Sequence, residues 1–243
     1  MRANPSDQLQ ILDVQRMDLL VSALRHKASI LPETAQLLVK SQRLTVLRDL
    51  KIAAQTQIND IKRELLRAEA DVEQVVLRLD RDERRLADGS TTAKELEKLQ
   101  HEIQTLSARR AELEELVLEI MLRIDSIKDR FSELSGEELI LTAEAGELDL
   151  IKSAALTEIE NEITSVIAER LATVSSIEGA LVDLYEKVRA KNHGIGAAAF
   201  REGRCNGCHL DINSVELGRI KVLASDEVVR CEECGCILVR GTK

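Results

Sequence analysis

Between Leu44 and Leu79 the chain repeats apolar side chains at alternating steps of three and four residues. The positions are Leu44, Leu47, Lys51, Ala54, Ile58, Ile61, Leu65, Ala68, Val72, Val75 and Leu79, and only Lys51 departs from the apolar rule. A second run passes through Leu96, Leu99, Ile103, Leu106, Arg110, Leu113, Val117, Ile120, Ile124, Ile127, Phe131 and Leu134, interrupted only by Arg110. A mean step of about 3.5 residues holds one helix face against a partner helix over many turns, which is the coiled-coil requirement. Composition agrees. Leu, Ala, Glu, Lys and Arg make up half of the 243 residues, and aromatic residues only 1%. A chain so poor in aromatics is unsuited to a large α/β core or a β-sandwich.

The two runs are separated by a short stretch centred on Gly89, a residue suited to the left-handed conformation that ends a helix. Thr92 followed by Glu95 forms a capping-box pattern that starts the next helix. A short connection joins antiparallel neighbours. The expected fold is therefore mainly α: a long antiparallel helical coiled-coil hairpin over residues 1–190, with its tip near 88–92. A parallel homodimer is the rival arrangement, so the chain is expected to be a monomer or a homodimer. Pro32 is expected to kink or restart the first arm. In the second arm, Leu156, Ile159, Ile163 and Val166 resume a heptad. Val174, Ile177, Leu181, Leu184 and Val188 follow in a shifted register that reads as a stutter. Residues 191–203 read as a linker, with Phe200 as a short apolar contact.

All five cysteines fall in the last forty residues. Cys205 and Cys208 form one C-x-x-C pair, and Cys231 and Cys234 a second one after 22 intervening residues. Two residues between thiolates allow one tight turn to present both sulfurs to a single ion, so the spacing predicts a tetrahedral structural zinc site. Residues 204–243 are expected to fold as a small C-terminal β zinc ribbon holding one Zn²⁺. Its strands would lie at 227–230 and 237–240, and Asn213 with Glu216 would cap a helical turn. Arg204 and Arg230 stand ready to balance the charge of a four-thiolate centre. A redox C-x-x-C lacks its usual βαβ context here, and an iron–sulfur centre remains a second use of four cysteines. Cys236 and His209 read as bystanders, Cys236 being the thiol open to oxidation if it faces solvent.

The net charge of −9 gives no general attraction to nucleic acid or anionic lipid. From residue 193 onward acids and bases balance, so nucleic-acid binding by the ribbon is possible but not signalled. No apolar run is long enough for a membrane span, and the N-terminus lacks a signal core, so a cytoplasmic location is expected. His26, His101 and His193 read as surface residues. With no phosphate loop or nucleophile elbow either, no enzymatic activity is expected.

The stretch Lys94-Glu95-Leu96-Glu97-Lys98-Leu99-Gln100-His101-Glu102-Ile103 resembles the KELxxLQHE segment of bacterial coiled-coil proteins that end in a C4-type zinc ribbon. Arg81-Asp82-Glu83, Gly89 and Leu113-Glu114 resemble the same family. The closing segment from Glu227 through Cys231, Cys234 and Cys236 to Val239 is most similar to its actinobacterial branch. The resemblance covers nearly the whole chain. It implies a helical hairpin with a zinc ribbon near its base, and Cys205, Cys208, Cys231 and Cys234 as zinc ligands. Some members of that family bind an alternative sigma factor or messenger RNA. At the position of Cys236 the family often carries Arg.

These readings combine into a non-enzymatic adapter or regulator that docks a protein partner, with the transcription machinery as one source. Lys94, Glu95, Gln100, His101 and Glu102 are the candidate partner-binding residues. A nucleic-acid-binding regulator acting through the ribbon and a structural spacer are the alternatives.

Overall fold

The structure is a computed structural model that describes residues 1–89 and 92–241. Ser90 and Thr91, in the middle of the expected tip, and Thr242 and Lys243 lie outside the described residues. The elements run α1 (Pro5–Ser29), α2 (Pro32–Ala87), α3 (Ala93–Ser175), α4 (Gly179–Lys191), β1 (Ala197–Arg201), β2 (Arg204–Cys205), α5 (Ser214–Val222), β3 (Val229–Arg230) and β4 (Ile237–Val239). They form two compact units, residues 35–149 and residues 1–34 with 150–243.

The unit 35–149 is a coiled-coil hairpin of α2 and α3. Every position of the α2 seam from Leu44 to Leu79 is buried or half-buried, and so is every position of the α3 seam from Leu96 to Leu134 except Arg110. Ala68, Ile120 and Ile124 form a buried cluster edged by Ile61, Leu65 and Val117. Ion pairs fix the antiparallel sense: Lys40 with Glu144 at 2.6 Å, Lys51 with Glu138 at 2.8 Å, Arg123 with Glu64 at 3.1 Å, and Arg78 with Glu102. The seam position Lys51 is accommodated because its aliphatic stem is half-buried while Nζ lies 5.3 Å from the Phe131 ring centroid and bonds Glu138. Gly89, at φ +63°, ends the α2 side in the left-handed conformation. At the start of α3 the Glu95 carboxylate accepts from the Thr92 N–H at 3.0 Å and from its hydroxyl at 2.7 Å.

The other unit joins α1, the last turns of α3, α4 and a four-stranded sheet in the order β2-β1-β4-β3. Pro32 starts α2 at its first position, where its missing N–H costs nothing. The register shift expected at 174–188 is a helix break. The Ser176 and Ile177 N–H groups turn back to the carbonyls of Thr173 and Val174. The Glu178 N–H is taken by Asp7 Oδ2 at 3.0 Å. A new helix, α4, then carries Leu181, Tyr185 and Val188 inward.

The linker expected over 191–203 is corrected by β1, which pairs parallel with β4 (Ala197 with Ile237, Ala199 with Val239) and antiparallel with β2. Small Ala side chains hid this strand from a reading based on large apolar residues. They suit the place, since Ala197 packs in one core with Ile11, Val14, Leu181, Tyr185 and Ile237. The ribbon sheet and the helices α1 and α4 thus share a hydrophobic core. The first residues extend the attachment, with the Ala3 N–H bonding the Asp226 carbonyl at 2.8 Å and the Val228 N–H bonding the Met1 carbonyl at 3.0 Å.

Beneath this core lies a charged network. Asp18 on α1, 7% exposed, accepts from Arg170 at 2.8 and 3.2 Å and from the Tyr185 hydroxyl at 2.6 Å. Arg189 adds an ion pair at 3.1 Å. Several charge-assisted bonds to one carboxylate are what make its burial tolerable.

Candidate metal centre

Cys205 closes β2 after a tight hairpin in which Glu202 and Gly203 take positive φ. The chain turns at once. The His209 N–H reaches the Cys205 carbonyl at 2.8 Å, and the Gly207 N–H points at Cys205 Sγ at 3.4 Å. Gly207 fits a tight space. A Cβ there would lie 3.1 Å from Ala198 Cβ and 3.3 Å from both Cys236 Sγ and Ile195 Cγ2. The second knuckle repeats the design between β3 and β4. The Gly235 N–H bonds the Cys231 carbonyl and the Cys231 N–H bonds the Cys236 carbonyl, both at 2.9 Å. Gly235 turns the chain at φ +71°.

These two turns bring the Sγ atoms of Cys205, Cys208, Cys231 and Cys234 within 4.8 Å of one another. Cys205 to Cys234 and Cys208 to Cys231 are both 3.9 Å apart. A regular tetrahedron of about 2.3 Å Zn–S bonds has edges of about 3.8 Å, close to these two separations, so the group is suited to one zinc. The five cysteines are free thiols. Burial holds the Cys234 thiol well above its ordinary range, pushed up to about 12. An ion that binds thiols does so by displacing their protons.

Arg204 is not turned to the thiols but forks onto Asp211 at 2.8 and 3.4 Å. Arg230 instead follows the knuckle, its Nε donating to the Gly235 carbonyl at 3.0 Å. The expected capping residue Asn213 accepts from the Val215 and Glu216 N–H groups at 3.0 and 2.8 Å and starts the two-turn helix α5. Arg240 ties that helix to the sheet, donating to the carbonyls of Ile220 and Leu223 at 3.2 and 3.0 Å. Cys236 does not face solvent. It is fully buried, so the condition under which it would be open to oxidation is not met.

The candidate partner-binding residues belong to the hairpin unit, on the first turns of α3. Lys94, Gln100 and His101 are exposed there. Glu95 is exposed but engaged in the helix cap, its carboxyl held below the usual range by the Thr92 hydroxyl and N–H. Glu102 is half-buried and paired with Arg78. Among the described residues, no helix is long and apolar enough to cross a membrane.

Comparison with known proteins finds two family models along the chain. Residues 14–193 match the family model of the CT398-like coiled coil hairpin domain, and residues 204–238 match the C4-type zinc ribbon domain. An uncharacterized protein of Mycobacterium tuberculosis is 31% identical over 240 residues, covering 99% of this chain and 98% of its own length. A solved structure from Mycobacterium smegmatis is 32% identical with a TM-score of 0.87, covering 99% of this chain and 100% of its own. The structure of CT398 from Chlamydia trachomatis, at 17% identity, shares the fold with a TM-score of 0.69 over 96% of this chain and 97% of its own. The mycobacterial relatives accord with the actinobacterial branch that the closing knuckle resembles. With hairpin, ribbon and a four-cysteine group suited to one structural zinc all in place, the chain belongs to the CT398-like coiled-coil hairpin family with a C-terminal C4-type zinc ribbon.

Proposed function

We propose that the protein is a non-enzymatic adapter in which one zinc, held by Cys205, Cys208, Cys231 and Cys234, folds the ribbon, while the start of α3 docks a protein partner. The observation that carries the non-enzymatic reading is the closed sulfur tetrahedron. Four thiols at tetrahedral spacing fill the shell of the ion and leave no position for water or substrate. The docking reading is supported by the exposed Lys94, Gln100 and His101 on one end of a helix hairpin whose apolar seam is already satisfied. Exposed Leu118 and Leu122, one turn apart on α3 at 61% and 71% exposure, offer apolar surface in the same unit.

Cross-linking in cells from the neighbouring exposed Lys98, which the variant below leaves in place, tests the docking surface. A specific protein captured there, and lost in the triple variant Lys94→Glu, Gln100→Ala, His101→Ala, supports it. Glu95 is left intact in that variant because its removal would unravel the cap. Undiminished capture overturns the surface. Binding of RNA or DNA at low salt that survives the triple variant and falls steeply with added salt would instead favour the ribbon as a nucleic-acid module.

A further inference from the structure

Cys236 is the one thiol to which the four-cysteine pattern gives no task. Its Sγ lies 3.4 Å from Cys205 Sγ and 3.2 Å from Cys234 Sγ. Both separations are shorter than the 3.9 Å between sulfurs of the tetrahedral group. An ordinary buried cysteine behaves as a small hydrophobe and packs against carbon. This one also packs against two candidate metal ligands. Its backbone is fixed by the Cys231 N–H on its carbonyl at 2.9 Å and by the following strand β4. Gly207 packs close beside its sulfur, where a Cβ would lie 3.3 Å from it. The sulfur is therefore held against the metal group by the fold.

We infer that Cys236 is a reserve metal ligand, able to take the place of Cys234 while Cys205, Cys208 and Cys231 keep their hold. The inference rests on the zinc reading above. Cys234 is the ligand exchanged because it is half-exposed at the outer end of the knuckle, whereas Cys205 and Cys231 are buried in the ribbon core. Cys208 has its sulfur neighbour in Cys231. The exchange balances without an outside reactant. The metal–sulfur bond to Cys234 breaks, that to Cys236 forms, and the thiol proton of Cys236 passes to the Cys234 sulfur beside it. Four thiolates remain on the ion and the charge of the centre is unchanged. The chain would then keep its metal when the accessible Cys234 is modified, the Cys236 proton passing in that case to water.

The test uses the full chain loaded with Co²⁺, whose thiolate charge-transfer absorption scales with the number of bound sulfurs, and zinc content per chain. Cys234→Ser is expected to bind one metal with the intensity of the native protein. Cys231→Ser, and the double variant Cys234→Ser with Cys236→Ser, should fall to about three quarters of it or lose the metal. Cys236→Ser alone should match the native protein. Equal losses in Cys234→Ser and Cys231→Ser would overturn the reserve role while leaving the four-cysteine zinc site standing. Failure of the native chain to bind either metal would overturn both. A second measurement avoids substituting Cys234. Limited alkylation of the zinc-loaded native chain at Cys234 should leave one zinc bound, and the same alkylation of Cys236→Ser should release it. Release from both would contradict the inference.

Discussion

The side chain of Gln15 on α1 is bonded to the backbone around Gly196. Its Oε1 accepts from the Gly196 N–H at 2.6 Å and from the Ala197 N–H at 3.1 Å. Its Nε2 donates to the Gly194 carbonyl at 2.9 Å. One amide on a helix near the N-terminus thus satisfies the entry of β1, more than 180 residues later. Gln15→Leu would orphan two buried donors at a cost of about 1–3 kcal/mol each. A clear fall in the urea midpoint is expected, and an unchanged midpoint would show that the contact carries no stability.

Gly196 itself is held by space. A Cβ there would meet the Tyr185 ring at 2.5 Å and the Tyr185 carbonyl at 2.8 Å. Gly196→Ala should destabilise by about 1–3 kcal/mol through overpacking. Combining it with Tyr185→Leu should not restore stability, because the clash with the carbonyl remains. Full rescue in a double-mutant cycle would place the whole conflict in the ring.

Tyr185 is the only tyrosine of the chain and is fully buried. Burial, with the hydrogen bond to Asp18, raises its phenol above the ordinary range. Folding favours the neutral form, so this contribution to stability is intact below about pH 10 and is lost as the pH climbs toward the raised value. Tyrosinate absorbance should therefore stay absent through about pH 10 and appear together with loss of structure. An ordinary titration within the folded protein would contradict the burial and the Asp18 bond.

The Thr92–Glu95 cap predicts the opposite sign for a carboxylate. Two donors from Thr92 lower the Glu95 pKa, so the contribution exists above the unfolded value and disappears as the pH falls through the folded one. Carboxyl-carbon NMR should find Glu95 below the ordinary glutamate range, and Thr92→Val should bring it back up. A native Glu95 with ordinary titration would remove the cap.

Much of this was legible in the sequence, for identifiable reasons. The seams at 44–79 and 96–134 were visible because a coiled coil imposes one period over many turns. The second C-x-x-C knuckle was visible because Gly235 and the flanking β-branched residues are local signals. Strand β1 was not. Ala197, Ala198 and Ala199 carry no strand signature, and their place is set by β4 and by Tyr185, which a local reading does not bring together. The break near Ile177 imitated a change of heptad phase because both alter the same spacing. Cys236 looked peripheral because its role depends on the fold of both knuckles, which places its sulfur against Cys205 and Cys234.

The four-cysteine group is suited to one structural zinc. Metal content of the full chain purified without added metal, followed by chelation and limited proteolysis, is the decisive measurement. One zinc per chain is expected. Removing it should open residues 197–239 to protease while the hairpin segment 35–149 stays protected. A chain that carries no metal, or carries iron, or whose ribbon resists protease equally after chelation, would contradict it.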